Sequence, residues 1–134
     1  MIVADTAVLA CALVDNGADG ALARRRLATA SAVLVVEGVD LQVAALVARL
    51  VDTGRLTEQR AEQVMADLTE LAVERVPVWP FLQSAWLLRE TCGSRAADVA
   101  VARSFAATYV TADAPLAAQA AEHCRVELVS RPPG

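Results

Sequence analysis

The stretch TYVTADAPLA, residues 108–117, decides the fold of this chain. Its first part is rich in β-branched and aromatic residues, which favour a buried strand, and its second part favours a helix. An acid, Asp113, stands at the junction. IVAD, residues 2–5, has the same form, because a short apolar strand ends at Asp5 and the apolar segment 7–14 follows as a helix. We therefore predict two strands that each end at an aspartate.

The remaining segments continue this alternation of strands and helices. Long crossovers between strands favour a parallel sheet, so we predict a three-layer α/β/α fold with a mainly parallel central sheet of four to five strands. One domain is expected over residues 1–130, with a C-terminal tail at 131–134. Ser94 is expected to cap a helix, and Trp79 and Trp86 are expected in the core. Further strands are predicted at 32–36, 73–78 and 125–129, and helices at 7–14, 18–30, 38–54, 57–72, 80–91, after 94, and from 114 to 124.

Composition excludes several classes of protein. The chain has 134 residues, enough for one core, and no apolar run approaches the roughly 18–20 residues that span a bilayer. The N-terminus has no basic start of the kind a secretory signal carries, so we expect no membrane association and a cytoplasmic location. All 12 basic residues are Arg, and the net charge of −4 argues against a protein that coats nucleic acid. It leaves open a nuclease with an acidic site. The three cysteines lack the spacing of a zinc site.

Asp5 and Asp113 are the candidate site residues that this organisation gives. Open α/β sheets bind ligands beyond the carboxyl ends of their strands, where both acids are predicted to lie. Paired carboxylates there suit a hard divalent cation. Each acid could equally serve as the N-cap of the helix that follows it, and both interpretations remain open.

The two strand-end motifs and the helix between them resemble a known family. The order of Val3-x-Asp5 and VTAD at 110–113, with the helix beginning LTEQRAEQ at 56–63, resembles the PIN-domain family and, more narrowly, the VapC toxins of bacterial toxin–antitoxin pairs. The resemblance implies that the α/β fold is PIN-like, and that the chain is a ribonuclease that uses Mg²⁺ or Mn²⁺ held by four acids. It also implies a VapB-like antitoxin as partner, RNA as a possible partner and a homodimer. The first of the four acids maps onto Asp5 and the last onto Asp113.

The two middle acid positions of the family pattern are altered here. Gln42 stands at the second, and Arg95 in SRAADVAVA, residues 94–102, stands at the third. Gln42 keeps an amide oxygen but cannot carry a charge or act as a base. The hydroxyl residue that the family places two positions after its first acid is replaced by Ala7. The resemblance therefore implies a degenerate acidic site.

Arg95 and Asp98 separate the possible functions. If the fold is right, the Arg95 guanidinium faces Asp5 and Asp113 and supplies the charge that a metal would supply. The chain would then be a VapC-like protein that is weak or inactive as a nuclease and that could have no cofactor. One alternative is an active Mg²⁺-dependent ribonuclease toxin in which Asp98 joins Asp5 and Asp113 as a ligand. Another is a non-catalytic PIN module that binds an antitoxin or RNA. Whether the chain is an enzyme stays open.

Overall fold

The computed structural model describes residues 1–129. The predicted tail at 131–134 lies outside the described residues, and the domain of residues 1–130 stays a prediction. In chain order the elements are β1 (Ile2–Ala4), α1 (Thr6–Val14), α2 (Ala18–Thr29), β2 (Val33–Val36), α3 (Val39–Asp52), α4 (Glu58–Glu70), β3 (Glu74–Val76), a 3₁₀ turn (Trp79–Phe81), α5 (Leu82–Leu87), α6 (Arg89–Cys92), a second 3₁₀ turn (Gly93–Arg95), α7 (Ala96–Ser104), β4 (Thr108–Thr111), α8 (Ala114–Ala120) and β5 (Val126–Leu128).

The five strands form one parallel sheet in the order β3-β2-β1-β4-β5. β1 lies at its centre, because Ile2 is in register with Val33 of β2 on one side and with Thr108 of β4 on the other. β1 and β4 are neighbours that run the same way, so the acids that follow them leave the same edge of the sheet. The predicted α/β fold with a parallel central sheet is confirmed.

Helices cover both faces of the sheet and give the molecule two hydrophobic cores. One core joins α1 to α4 with the sheet and contains the fully buried Leu9, Val43 and Val64. The other joins α5 to α8 with the opposite face and contains Val99 and Tyr109. Every residue of β1 is buried, as expected for a central strand covered on both faces. In the part of the chain that the structure describes, no helix combines the length and apolarity that crossing a membrane requires.

The prediction that Trp79 and Trp86 lie in the core is wrong. They are 75% and 64% exposed. The predicted helix over 80–91 is divided into short pieces that meet at Leu88. The buried residues of this part of the chain are Leu88 and Cys92, one turn apart. Because Leu88 and Cys92 face the core, Trp86 faces solvent. The Arg89 guanidinium stacks on the exposed Trp86 ring, 3.8 Å from its centre.

The prediction that Ser94 caps a helix is also wrong. Gly93 has a positive φ of +55°, which favours glycine, and it redirects the chain into the 3₁₀ turn that contains Ser94. α7 begins only at Ala96, and Arg95 occupies its N-cap position without a side-chain cap hydrogen bond. The glycine turn thereby places an arginine at the carboxyl edge of the sheet.

Candidate functional site: an acid cluster closed by Arg95

Asp5 is held where β1 ends and α1 begins. It is the N-cap residue of α1 and has no solvent exposure. Its Oδ2 accepts a hydrogen bond of 2.8 Å from the Thr111 hydroxyl, and its Oδ1 accepts a longer one of 3.4 Å from the backbone N–H of Ala7. A buried carboxylate of this kind requires hydrogen bonds and an opposite charge to offset its lost hydration.

Asp113 occupies the equivalent place between β4 and α8. It is the N-cap of α8, and its Oδ1 accepts a hydrogen bond of 3.0 Å from the Leu116 N–H. Its own N–H donates to the Thr111 hydroxyl oxygen at 3.1 Å. Thr111 is fully buried and therefore links the two acids. Sequence reasoning did not single out Thr111, although a hydroxyl in a buried strand, two residues before an acid, indicates a hydrogen-bonded partner.

Arg95 lies between the two acids. Its Nε is 3.6 Å from Oδ1 of Asp5, and its Nη1 is 3.6 Å from Oδ2 of Asp113. Its side chain is 31% exposed. Asp113 caps α8 with one oxygen and directs the other toward the guanidinium, whereas both oxygens of Asp5 accept hydrogen bonds and its Oδ1 also faces the guanidinium. The structure brings these three sequence-predicted residues together.

Gln42 is also near the acids, but its oxygen is already bonded. Its Oε1 accepts a hydrogen bond of 2.6 Å from the hydroxyl of Thr6, the residue after Asp5. Asp40, two residues earlier, points elsewhere and receives two hydrogen bonds, of 2.7 and 2.8 Å, from Arg75. The Arg75 hydrogen bonds lower the pKa of the Asp40 carboxyl. Asp40 therefore links α3 to β3 and does not supply the carboxylate that Gln42 lacks.

Asp98 lies one turn into α7 and is partly buried. Its Oδ2 accepts a hydrogen bond of 3.1 Å from the hydroxyl of Tyr109. Burial, followed by the negative charge of Asp5, raises the pKa of Asp98 to about 7, although the Tyr109 hydrogen bond and the charge of Arg95 oppose that rise. Burial likewise raises the pKa of Tyr109, with Asp98 adding to it. Asp98 therefore lies close enough to Asp5 for the charge of Asp5 to affect its pKa, and Tyr109 is its hydrogen-bond donor.

The donor set at this edge does not fit a divalent cation. A hard cation needs several free oxygen ligands, whereas Oδ1 of Asp5 and Oδ2 of Asp113 both face a guanidinium, and Oδ1 of Asp5 also accepts from Ala7. The Gln42 oxygen accepts from Thr6. A divalent cation placed between the same two oxygens would also meet the positive charge of Arg95 at close range. Within residues 1–129, no group of three or more His, Cys, Asp or Glu side chains is placed to hold a metal ion.

Comparison with known proteins supports the resemblance inferred from the motifs. No family model matches the chain. The chain is 29% identical over 132 residues to a VapC ribonuclease of Mycobacterium bovis and to the ribonuclease VapC9 of Mycobacterium tuberculosis, an alignment that covers 98% of this chain and all of each relative. In structure it is similar to the Mycobacterium tuberculosis toxin VapC20, which cleaves the sarcin–ricin loop. The TM-score is 0.61 at 21% identity, and the match covers 81% of this chain and 87% of that one.

The comparisons support two inferences that were made from the motifs. The sequence match to VapC ribonucleases extends over nearly the whole chain, so the chain is VapC-like in sequence. The structural match shows that its fold is that of a VapC toxin, a PIN-domain fold. The resemblance that the strand-end aspartates predicted is confirmed.

Proposed function

We propose that this VapC-like PIN-domain chain belongs to the toxin–antitoxin ribonuclease class and is weak or inactive as a nuclease. The observation that carries the proposal is the position of Arg95, whose guanidinium is 3.6 Å from a carboxylate oxygen of both Asp5 and Asp113. In this class a divalent cation, when bound, would activate water and neutralise the scissile phosphate. Here the Arg95 guanidinium neutralises Asp5 and Asp113 instead.

The chemistry that remains follows from the residues present. Arg95 can donate hydrogen bonds but cannot take a proton from water, because a guanidinium stays protonated. Gln42 cannot act as a base either, and its oxygen is bonded to Thr6. Asp5 and Asp113 hold the two helix N-termini and the guanidinium. Without a metal, Arg95 can bind and orient an anionic ligand, but neither Arg95 nor Gln42 can take a proton from water at the two altered positions.

A purified-protein assay tests this proposal. Total bacterial RNA is incubated with Mg²⁺ or Mn²⁺ and the wild-type chain, with the double variant Arg95→Asp/Gln42→Glu, or with that variant carrying Asp113→Asn. New 5′ ends are then mapped. We expect no metal-dependent ends from the wild type, and ends from the double variant that Asp113→Asn removes. Metal-dependent cleavage by the wild type that Asp113→Asn abolishes would overturn the proposal.

A second candidate is an active Mg²⁺-dependent ribonuclease toxin that uses Asp5, Asp98 and Asp113. The observation in its favour is that burial, followed by the negative charge of Asp5, raises the pKa of Asp98, so this third acid lies close to Asp5. In this case Arg95 would have to swing out, which its partial exposure permits. The RNA cleavage assay separates the two candidates when Asp98→Asn is included. Only the active-toxin candidate predicts that the wild type cleaves RNA and that Asp98→Asn abolishes this cleavage.

The proposed partners are a VapB-like antitoxin, a second copy of the chain in a homodimer and RNA, and the proposed location is the cytoplasm. A further possibility is a non-catalytic PIN module whose role is to bind the antitoxin or RNA. Support for a protein partner comes from an apolar face formed by Trp79, Leu82, Trp86 and Leu87, which are 57–77% exposed. Monomeric proteins rarely leave a patch of that kind uncovered. The antitoxin partner is tested by co-expressing this chain with the product of the reading frame that precedes its gene.

A further inference from the structure

A second candidate site lies away from the acid cluster, between α1, α2 and α4. It is a cavity of about 510 Å³. Val33, the first residue of β2, and Val73, just before β3, line its floor, so it opens at the amino edge of the sheet. Asp5 and Asp113 follow the carboxyl ends of their strands. The cavity is therefore at the opposite edge from the acids.

The lining of the cavity is mostly aliphatic. Besides the two valines, Leu13, Leu27 and Leu71 contribute side chains. Its volume falls within the roughly 300–1,000 Å³ of typical small-molecule sites, which combine an apolar lining with a few fixed polar groups. No aromatic ring lines it among the described residues, so an alkyl chain matches its walls better than a flat ring would.

Two arginines supply the fixed polar groups. Arg24 Nη1 donates to the carbonyl oxygens of Ala12 and Asp15, at 3.1 and 2.6 Å, and Arg60 Nη2 donates to that of Leu13, at 3.0 Å. The last carbonyls of α1 have no partner within the helix and carry its negative partial charge, which explains why guanidiniums settle there. The local packing is tight, since a side chain at Gly20 would begin 1.9 Å from the Asp15 carbonyl oxygen.

Each guanidinium has five N–H groups, and the hydrogen bonds to carbonyl oxygens at the end of α1 use only one or two of them. Within residues 1–129 neither Arg24 nor Arg60 forms an ion pair, although the chain has an excess of acids. One acid, Asp67, also lines the cavity, and its carboxylate accepts a hydrogen bond of 3.0 Å from Gln63. The cavity therefore carries one net positive charge in an otherwise acidic protein.

We propose that this cavity binds an amphipathic monocarboxylate, such as a medium-chain fatty acid. The carboxylate pairs with the spare donors of Arg24 and Arg60, whose planar forks match it, and the alkyl chain lies against the leucines and valines. Ligand binding here requires no contact with Arg95, Asp5 or Asp113. The proposal therefore stands apart from any nuclease activity.

Octanoate is the probe for this site, with 1-octanol and octylamine as controls that keep the chain and change the head group. Binding is followed by chemical-shift changes in ¹H–¹⁵N spectra of the full chain. We expect saturable shifts at Leu27, Leu71 and Val73 in the millimolar range usual for so small a ligand, with octanoate at least about tenfold tighter than octanol. Octylamine should be the weakest of the three. Equal binding of octanoate and octanol would overturn the carboxylate assignment.

Variants separate the cavity from a non-specific surface effect. Arg24→Gln and Arg60→Gln together should weaken octanoate about tenfold or more, whereas Arg25→Gln, an exposed arginine next in sequence, should leave it unchanged. Because the arginines also cap α1, Ala28→Trp provides an independent variant that fills the cavity and leaves both guanidiniums in place. It should abolish binding at an unchanged melting temperature. Unchanged octanoate affinity in Ala28→Trp, or no shifts at the cavity residues of the wild type, would overturn the site.

Discussion

Nε of Arg95 lies 3.6 Å from Oδ1 of Asp5, a carboxylate with no solvent exposure. Removing one partner of a buried charge pair leaves the other charge without compensation, which is more costly than losing a surface pair. Arg95 therefore has a role in stability as well as in chemistry. That role can be measured without knowing any substrate.

Replacing Arg95 by alanine should lower the free energy of unfolding by about 1–3 kcal/mol, because Asp5 and Asp113 then repel each other without a cation between them. Urea denaturation measures the change. Millimolar Mg²⁺ should restore part of the loss in the variant and do little to the wild type. The control is Arg25→Ala, an exposed arginine, whose effect should stay within about 0.5 kcal/mol. Equal loss in both variants, with no effect of Mg²⁺, would show that Arg95 is not the counter-ion.

Asp98 should make the stability of the chain depend on pH. Its pKa is raised to about 7 in the folded chain, and an unfolded aspartate titrates near 3.9. Between these values the folded chain binds more protons than the unfolded chain, so stability falls as pH rises toward 7. Denaturation of the wild type and Asp98→Asn at pH 4.5, 6 and 8 measures the effect. The wild type should lose stability relative to Asp98→Asn across this range, and a constant difference would contradict the assignment.

Tyr109→Phe should raise the pKa of Asp98 further. The Tyr109 hydroxyl donates to Asp98 Oδ2, which favours the charged carboxylate, and phenylalanine keeps the ring in the core while removing that donor. ¹³C NMR of the aspartate carboxyl groups, titrated from pH 4 to 9, reports the change directly. A lower pKa of Asp98 in the variant would mean that the hydroxyl acts on the neutral form instead.

The proposed homodimer should depend on the apolar face that contains Leu87. Leu87 and Leu41 are matched in exposure, at 77% and 78%, and only Leu87 belongs to that face. Leu87→Arg should therefore shift the chain toward monomer in light scattering, and Leu41→Arg should not. A wild type that remains monomeric at high concentration would exclude the homodimer, and a dimer disrupted only by Leu41→Arg would place the interface elsewhere.

The sequence predicted the parts of this structure that depend on local signals. Asp5 and Asp113 each follow a short β-branched strand and precede a helix, and that pattern was enough to place them at one edge of a parallel sheet. The positions of Gln42 and Arg95 came from the resemblance to the VapC pattern.

The hydrogen-bond partners could not be predicted in the same way. Thr6 bonds to Gln42, Thr111 to Asp5 and Tyr109 to Asp98, across 36, 106 and 11 residues. Such contacts depend on how the strands and helices pack and leave little trace in a single sequence. The exposure of Trp86 was mispredicted for a related reason. The predicted core position of Trp86 assumed one regular helix over 80–91, whereas that helix is interrupted at Leu88.

Titration with a divalent cation tests the central claim most directly. The claim is that Arg95 replaces the metal of a VapC-like site, so calorimetry of the wild type with Mn²⁺ and Mg²⁺ should show no binding at millimolar concentrations. Arg95→Asp together with Gln42→Glu restores two carboxylates and should create a site at least about tenfold tighter, which Asp113→Asn should then weaken. Wild-type binding as tight as that of the double variant, and equally sensitive to Asp113→Asn, would contradict the account.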